Sequence, residues 1–270
     1  MHPMLHTAIR AAREAGDIIM QHAKHIDQLT IEQKTDNDFV SEVDKAAEYA
    51  IIRLIKKIYP DHAILAEESG QQLTENSEYE WIIDPLDGTT NYLYGIPQYA
   101  VSIGLRHKGR MLVGVVFDPL KDELFSAARG EGAMLNNRRL RVTKRPSMQG
   151  ALLVTGIPFR AHQDLDLYLN TLRALVPDTA GIRRPGSAAL DLAYVAAGRY
   201  DGYWEFALNP WDIAAGVLLV QEAGGLVGDL QGGNQHLRCG DVLAASPKVF
   251  KEMAKRLHPH LKDYHPIPFD

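Results

Sequence analysis

A single cysteine, Cys239, stands in 270 residues, so no internal disulfide can brace the chain. No paired Cys and His spacing of the zinc-finger kind occurs either, and stability must come from a core, which a 46% apolar content can fill. The lone thiol lacks a partnering motif and is not expected to act as a nucleophile; its scarcity fits a reducing compartment, the cytosol by default. Long hydrophobic runs are missing. No stretch approaches the roughly 18 apolar residues of a membrane span, and charges interrupt MHPMLHTAIRAAREAG where a signal peptide needs continuous apolarity. A positive excess is missing too: 29 basic against 34 acidic residues leave a net charge of -5, the wrong sign for wrapping nucleic acid by electrostatics. The 11 histidines form no H-E-x-x-H, so zinc ligation is not expected; there is no G-x-x-x-x-G-K-[ST] loop, and RGEGAML lacks the spacing of a dinucleotide fingerprint.

What is present is a regular succession of periodic segments. Leu5, Ile9, Ala12, Ala15 and Ile19 recur at helical spacing over residues 5 to 23, and a second helix is expected from about Val43 to Ile58, stopped by Pro60. From Trp81 the period changes. WIID reads as a buried strand, YAVSIGLRHKGRMLVGVVFDP as two strands joined at HKGR, ELFSAARG as a third, and GEGAMLNNRRLRVTK as a hairpin closed by Asn136 and Asn137. The cations around that hairpin, Arg138, Arg139, Arg141, Lys144 and Arg145, read as a solvated surface rather than a binding patch. Pro146 to Gly150 marks a boundary between an N-terminal half, 1–146, and a C-terminal half, 147–270. The second half alternates ALLVTG (strand), Asp164 to Val176 (helix), GIRR (strand), Ser187 to Ala197 (helix), YDGYWEF (strand), PWDIAAGVLLVQEAGG (helix), LVGDL and DVLAAS (strands), and a final helix from Pro247 to about His258. Such alternation argues layered sheets and helices. Trp81, Trp204 and Trp211 read as packing around element ends, not as a base-stacking surface.

Carboxylates gather at element ends in three places: Glu67 and Glu68 in ILAEESG, Asp84 and Asp87 in IDPLDGTTN, and Asp212 in NPWDIAAG. Singly, each has an ordinary structural use. Asp84 can close a turn before Pro85, Asp87 can cap the helix that DGTTN begins, and Asp212 can stabilise a helix N-terminus. Together in one apolar pocket they would repel and raise one another's pKa, and a cation of high charge would be needed to keep them ionised. Oxygen-only ligands suit magnesium, which takes few carboxylates and keeps waters and phosphate oxygens. Gly88 lets the backbone approach a ligand closely, and the N–H groups of Gly88, Thr89 and Thr90 suit an anion such as phosphate.

IDPLDGTTN fits a D-P-[IL]-D-G-T-T-N signature, AEES an acidic loop, and PWDIAAGVLLVQEAGG a W-D-x-A-A-G segment with a glycine-ended tail. In these motifs, their order and their spacing over essentially the whole chain, the sequence resembles the inositol monophosphatases, metal-dependent and lithium-sensitive sugar phosphatases. MHPML, DFVSEVDKAAE and GSAALDLAYVAAGRYDG are most similar to the bacterial branch of that family known as SuhB. The resemblance implies an α+β sandwich of alternating α-β-α-β-α layers, a homodimer, and magnesium-dependent hydrolysis of inositol monophosphates. It implies that Glu67, Asp84 and the carbonyl of Leu86 hold a first ion, that Asp84, Asp87 and Asp212 hold a second, and that a third, weaker one sits near Glu67. Thr89 would orient the attacking water, with Glu67 helping to activate it, and the amides of Gly88 and Thr89 would hold phosphate oxygens. The sugar would meet Asp87, Gly186, Ser187, Ala188, Glu205 and Asp212. Lys34 and Asp44 correspond to a loop that helps place the third ion.

The mechanism expected from this set is in-line attack of a metal-activated water on phosphorus, with charge on both sides of the phosphoryl group. Ser187 replaces a threonine of many animal members and Asn209 a histidine of others, which leaves the substrate open. A broader sugar phosphatase, acting for example on fructose 1,6-bisphosphate, is the alternative enzyme. A different class of role also comes with the resemblance: SuhB-branch proteins are associated with antitermination of ribosomal RNA transcription through the elongation factor NusA. Arg183 and Arg184 in GIRRPG would serve such a partner or the dimer, or merely end a strand.

Overall fold

The computed structural model describes residues 2–26, 31–35, 38–74, 77–158 and 163–266. The first helix, α1 (Pro3–His22), buries Leu5, Ala8, Ala12, Ala15 and Ile19, one stripe at the spacing of its sequence. After a short hairpin of β1 (Ile31–Thr35) and β2 (Asp38–Ser41), α2 (Glu42–Ile58) starts on a reciprocal cap: Asp44 accepts from the backbone N–H of Ser41, and the Ser41 hydroxyl caps the helix in turn. The two helices pack together on one face of an eight-stranded sheet.

That sheet has the order β10-β9-β8-β7-β6-β5-β3-β4. Its strands are β3 (Ala63–Ala66), β4 (Gly70–Gln72), β5 (Tyr79–Asp87), β6 (Ala100–His107), β7 (Arg110–Asp118), β8 (Glu123–Ala128), β9 (Gly132–Leu135) and β10 (Arg138–Arg139), with the short helix α3 (Thr89–Leu93) leaving β5. The second sheet, β12-β11-β13-β15-β14, comprises β11 (Leu152–Thr155), β12 (Gly181–Arg183), β13 (Gly202–Glu205), β14 (Leu226–Gly228) and β15 (Val242–Ala245).

Between the sheets lie α5 (Ala188–Ala196) and α6 (Pro210–Glu222). Every residue of α5 is buried, as expected of a helix covered on both sides. Gly114 on β7 lets α6 approach: a Cβ there would lie 2.7 Å from the Ala215 carbonyl oxygen. On the outer face of the second sheet, α4 (Leu165–Leu175) and α8 (Pro247–Leu257) bury Tyr168, Leu175, Val249 and Met253 with Trp204. The layers therefore run α1/α2, sheet, α5/α6, sheet, α4/α8, the α-β-α-β-α order expected.

Most expected elements appear within a residue or two of their ends. The differences are instructive. β1, β2, β4 and α7 (His236–Cys239) were not anticipated, because IEQKT and GQQ carry no apolar alternation and HLRC is a single turn. The strand read as WIID does not stop at Asp84; β5 continues through Pro85 to Asp87.

Candidate active site

The continuation of β5 decides the geometry of the site. Side chains three apart on a regular strand point to opposite faces, which would separate Asp84 from Asp87. Here Asp84 pairs with Ser102 and Asp87 with Ala100, so three steps on β5 oppose two on β6. The extra residue makes a bulge between Asp84 and Asp87, a stretch that includes Pro85, which has no N–H to give to a ladder. It brings both aspartates onto one cavity, and Asp84 Oδ1 accepts from the Leu86 N–H at 3.0 Å to hold the turn.

Glu67 stands one residue beyond β3, its N–H bonded to the Ile83 carbonyl of the neighbouring β5 at 3.1 Å. The buried Glu48 of α2 accepts from the N–H groups of Glu68 and Ser69 at 2.8 and 2.9 Å, clamping the turn that presents Glu67. Asp212 lies in the first turn of α6 and accepts from the Asn209 N–H at 2.7 Å, as its helix-start reading required. Asp87 does not cap the helix that follows it: Gly88 is the N-cap of α3. Instead Asp87 Oδ2 accepts from the Ser187 hydroxyl at 2.6 Å and the Ala189 N–H at 2.7 Å, satisfying the start of α5 across the sheet. The bulge aims the carboxylate that way, and sequence proximity could not reveal it.

A cavity of about 490 Å³ results, lined by Glu67, Asp84, Leu86, Asp87, Gly88, Thr89, Gly186, Ser187, Ala188, Glu205 and Asp212. Asp84 is 1% exposed. Burial, and then the charges of Glu67, Asp87 and Asp212, push its carboxyl well above the ordinary carboxylate range. Burial followed by Asp87 and Glu67 does the same to Asp212. For Asp87, burial outweighs the hydrogen bonds from Ser187 and Ala189, and its pKa rises to about 6. Carboxyls so displaced favour a cation that would neutralise them.

Among the described residues, no three His, Cys, Asp or Glu side chains close into a ready-made metal cage. Magnesium takes one or two carboxylates and fills its remaining octahedral positions with water and substrate phosphate oxygens. The donor set fits: Glu67, Asp84, Asp87, Asp212 and the Leu86 carbonyl are hard oxygen ligands, without sulfur or imidazole.

Thr89 Oγ1 lies 2.9 Å from both Asp44 Oδ1 and the Leu86 carbonyl oxygen. Asp44 is fully buried, bonded also to Ser41, and is not among the residues lining the cavity. It therefore reaches the cavity through the Thr89 hydroxyl. The side chain of Lys34 lies outside the described residues. Glu205 accepts from the Tyr203 hydroxyl at 2.8 Å, and burial above all raises its pKa to about 7. Asn91 donates to the Gln98 and Pro185 carbonyls at 2.8 and 2.9 Å, tying α3 to the loop of Gly186.

Sequence reasoning missed Glu48, Asp191 and the placement of Arg184. The last two line the same cavity. Within DKAAE, Glu48 looks like a solvated helix charge; Asp191 is the one charge in the apolar run AALDLAYVAA, a signal by which its burial could have been found. The remaining expectations concern packing. Trp81 and Trp204 are fully buried and the partly buried Trp211 packs against the central core, in line with the packing reading. Burial pushes the Cys239 thiol up to about 11, away from nucleophilic use. Arg138, Arg139, Arg141 and Lys144 are exposed, while Arg145 pairs with Asp201 at 2.9 Å. Among the described residues no helix is long and apolar enough to cross a membrane.

Comparison with known proteins agrees with this architecture. The model of the inositol monophosphatase family matches residues 1–264. The Nus factor SuhB of Pseudomonas aeruginosa is 53% identical over 265 residues, 97% of this chain and 98% of that protein. The crystal structure of the extragenic suppressor protein suhB from Bartonella henselae superposes with a TM-score of 0.92 at 41% identity, covering 95% of this chain and 98% of that one. The structure of staphylococcal SaIMPase-II with bound inositol monophosphate superposes at 0.79 with 26% identity, covering 97% and 96%. With both its sequence and its layered fold matched over nearly their full length, the chain belongs to the inositol monophosphatase family, in the SuhB branch.

Proposed function

We propose that this cavity hydrolyses phosphate monoesters of polyols, myo-inositol 1-phosphate among them, with magnesium held by Glu67, Asp84, the Leu86 carbonyl, Asp87 and Asp212. The observation that carries the reading is the convergence of these four carboxyls, from three distant segments, on one cavity that raises the pKa of Asp84, Asp87 and Asp212. Magnesium bound there would supply positive charge to the phosphoryl oxygens and to the departing alcohol, and make water more acidic.

The chain's own residues do the rest. A hydroxyl carries one proton, so Thr89 donates to Asp44 or to the Leu86 carbonyl and keeps a lone pair for a proton of the attacking water. Glu67 lies beside the same space and accepts the other. Gly88 and Thr89 amides orient phosphate oxygens, while Gly186, Ser187, Ala188 and Glu205 line the part of the cavity left for the alcohol. Water oxygen bonds to phosphorus as the ester P–O bond breaks, the alkoxide takes a proton from a solvent water, and Glu67 returns the proton it accepted to solvent. The same reading makes the protein a lithium-sensitive homodimer with two to three ions per subunit, working in the cytosol.

A magnesium-titrated phosphate-release assay with inositol 1-phosphate, glycerol phosphate, 2'-AMP and fructose 1,6-bisphosphate tests it, with lithium as inhibitor and sedimentation for the dimer. No magnesium-dependent release from any ester would overturn the phosphatase reading; higher efficiency on the bisphosphate would replace the substrate. A second reading follows from the likeness to the Pseudomonas protein named a Nus factor, which extends over 97% of this chain: the protein also joins ribosomal RNA antitermination complexes through NusA. A pull-down with purified NusA tests that role, and absence of association at micromolar concentrations would remove it.

A further inference from the structure

The cavity that Asp84 lines holds further acidic groups, Asp191 and Glu205. Asp191, in the first turn of α5, is 2% exposed and lines the cavity, yet no hydrogen-bond partner lies within reach of its Oδ1 among the described residues. A helix start favours a carboxylate, but an exposed one would do as well. An unpartnered buried acceptor is costly to keep.

Its surroundings are built to hold acidic groups. Glu205 is fixed by the Tyr203 hydroxyl and the Gly156 N–H, and any side chain at Gly156 would collide with that carboxylate. After burial, Glu205 is the largest influence raising the Asp191 pKa, and Arg184 is the cation that offsets it. Asp191 and Glu205 thus face a common space, with Arg184 alongside. Two neighbouring acceptors in the cavity that Gly88 and Thr89 also line match an alcohol bearing several hydroxyls, not a hydrocarbon one.

We propose that Asp191 is a specificity-determining residue: beside Glu205 it accepts a hydroxyl of the alcohol portion, so that the cavity selects polyol esters over esters of simple alcohols. The inference rests on the phosphatase reading, and its test separates the two. The readout is the ratio of kcat/KM for myo-inositol 1-phosphate over phenyl phosphate in the full-length protein, its D191L variant and its D191N variant. Loss of this buried hydrogen bond lowers the ratio in D191L by roughly ten-fold, chiefly through the KM of the inositol ester. D191N, whose amide oxygen still accepts, falls in between. If D191L does not fold, D191N decides, with a drop of about three-fold or more supporting the role. A merely structural Asp191 would lower both rates together, so an unchanged ratio overturns the proposal. Should the wild type hydrolyse neither ester, the phosphatase reading fails, and calorimetric binding of myo-inositol 1-phosphate decides the role of Asp191. Weaker binding by D191L sustains it; equal binding, or none by the wild type, refutes it.

Discussion

Replacing Glu205 by glutamine should stabilise the fold at neutral pH, and the gain should fade in acid. Burial raises this carboxyl from 4.5 to about 7 despite the Tyr203 hydroxyl, the Arg184 charge and the Gly156 N–H. The difference, 7 − 4.5 = 2.5, corresponds at about 1.4 kcal/mol per pH unit to roughly 3 kcal/mol. Because the folded pKa lies above the unfolded one, the stabilisation is fully present below 4.5 and is lost as the pH rises through 7. Glutamine keeps the shape and an oxygen for Tyr203 but carries no charge to desolvate. Urea unfolding with chelator present, at intervals from about pH 5 to about pH 8, measures the variant against the wild type. Their difference should grow from under about 1 kcal/mol to about 3 kcal/mol across that range. Parallel stability profiles would refute the reasoning, since they would mean that Glu205 ionises in the fold as readily as in the unfolded chain.

Three further outcomes follow from the site. Asp84→Asn should cut magnesium-dependent phosphate release roughly a thousand-fold or more, while its melting temperature in chelator equals or exceeds that of the wild type; a near-normal rate in a folded variant would remove the metal assignment. Glu48→Gln weakens the clamp on the Glu68 and Ser69 N–H groups and should reduce turnover about ten- to a hundred-fold, with a higher magnesium requirement visible in the titration. Gly88→Ala forces a side chain onto a backbone at φ 91°, with its Cβ 2.9 Å from the Gln98 carbonyl oxygen. It should cost about 1–3 kcal/mol, read by urea unfolding.

The elements were legible to different depths for physical reasons. α4 and α5 announce themselves through Asp164 and Ser187, each of which caps its own helix start, so a local hydrogen bond marks the boundary in the sequence. β4, with Gln71 and Gln72, exists only because β3 offers it an edge, and no periodicity within three residues can show that. In the candidate site, the acidic motifs point to their own importance through charge beside apolar runs. Glu48 does not, since DKAAE reads as an ordinary helix surface, whereas Asp191, alone in the apolar AALDLAYVAA, carries the same kind of signal without a motif to say what it faces.

From sequence alone came most of the order of helices and strands, because periodicity, capping and turn chemistry act over a few residues, while the family motifs singled out Glu67, Asp84, Asp87, Thr89 and Asp212. Tertiary structure decided that the bulge between Asp84 and Asp87 turns both to one side, that Asp87 serves α5 across about a hundred residues of chain, and that Asp191 faces the same cavity. Those facts depend on sheet register and on the packing of α5 between two sheets, and such long-range contacts leave no local trace in the order of amino acids.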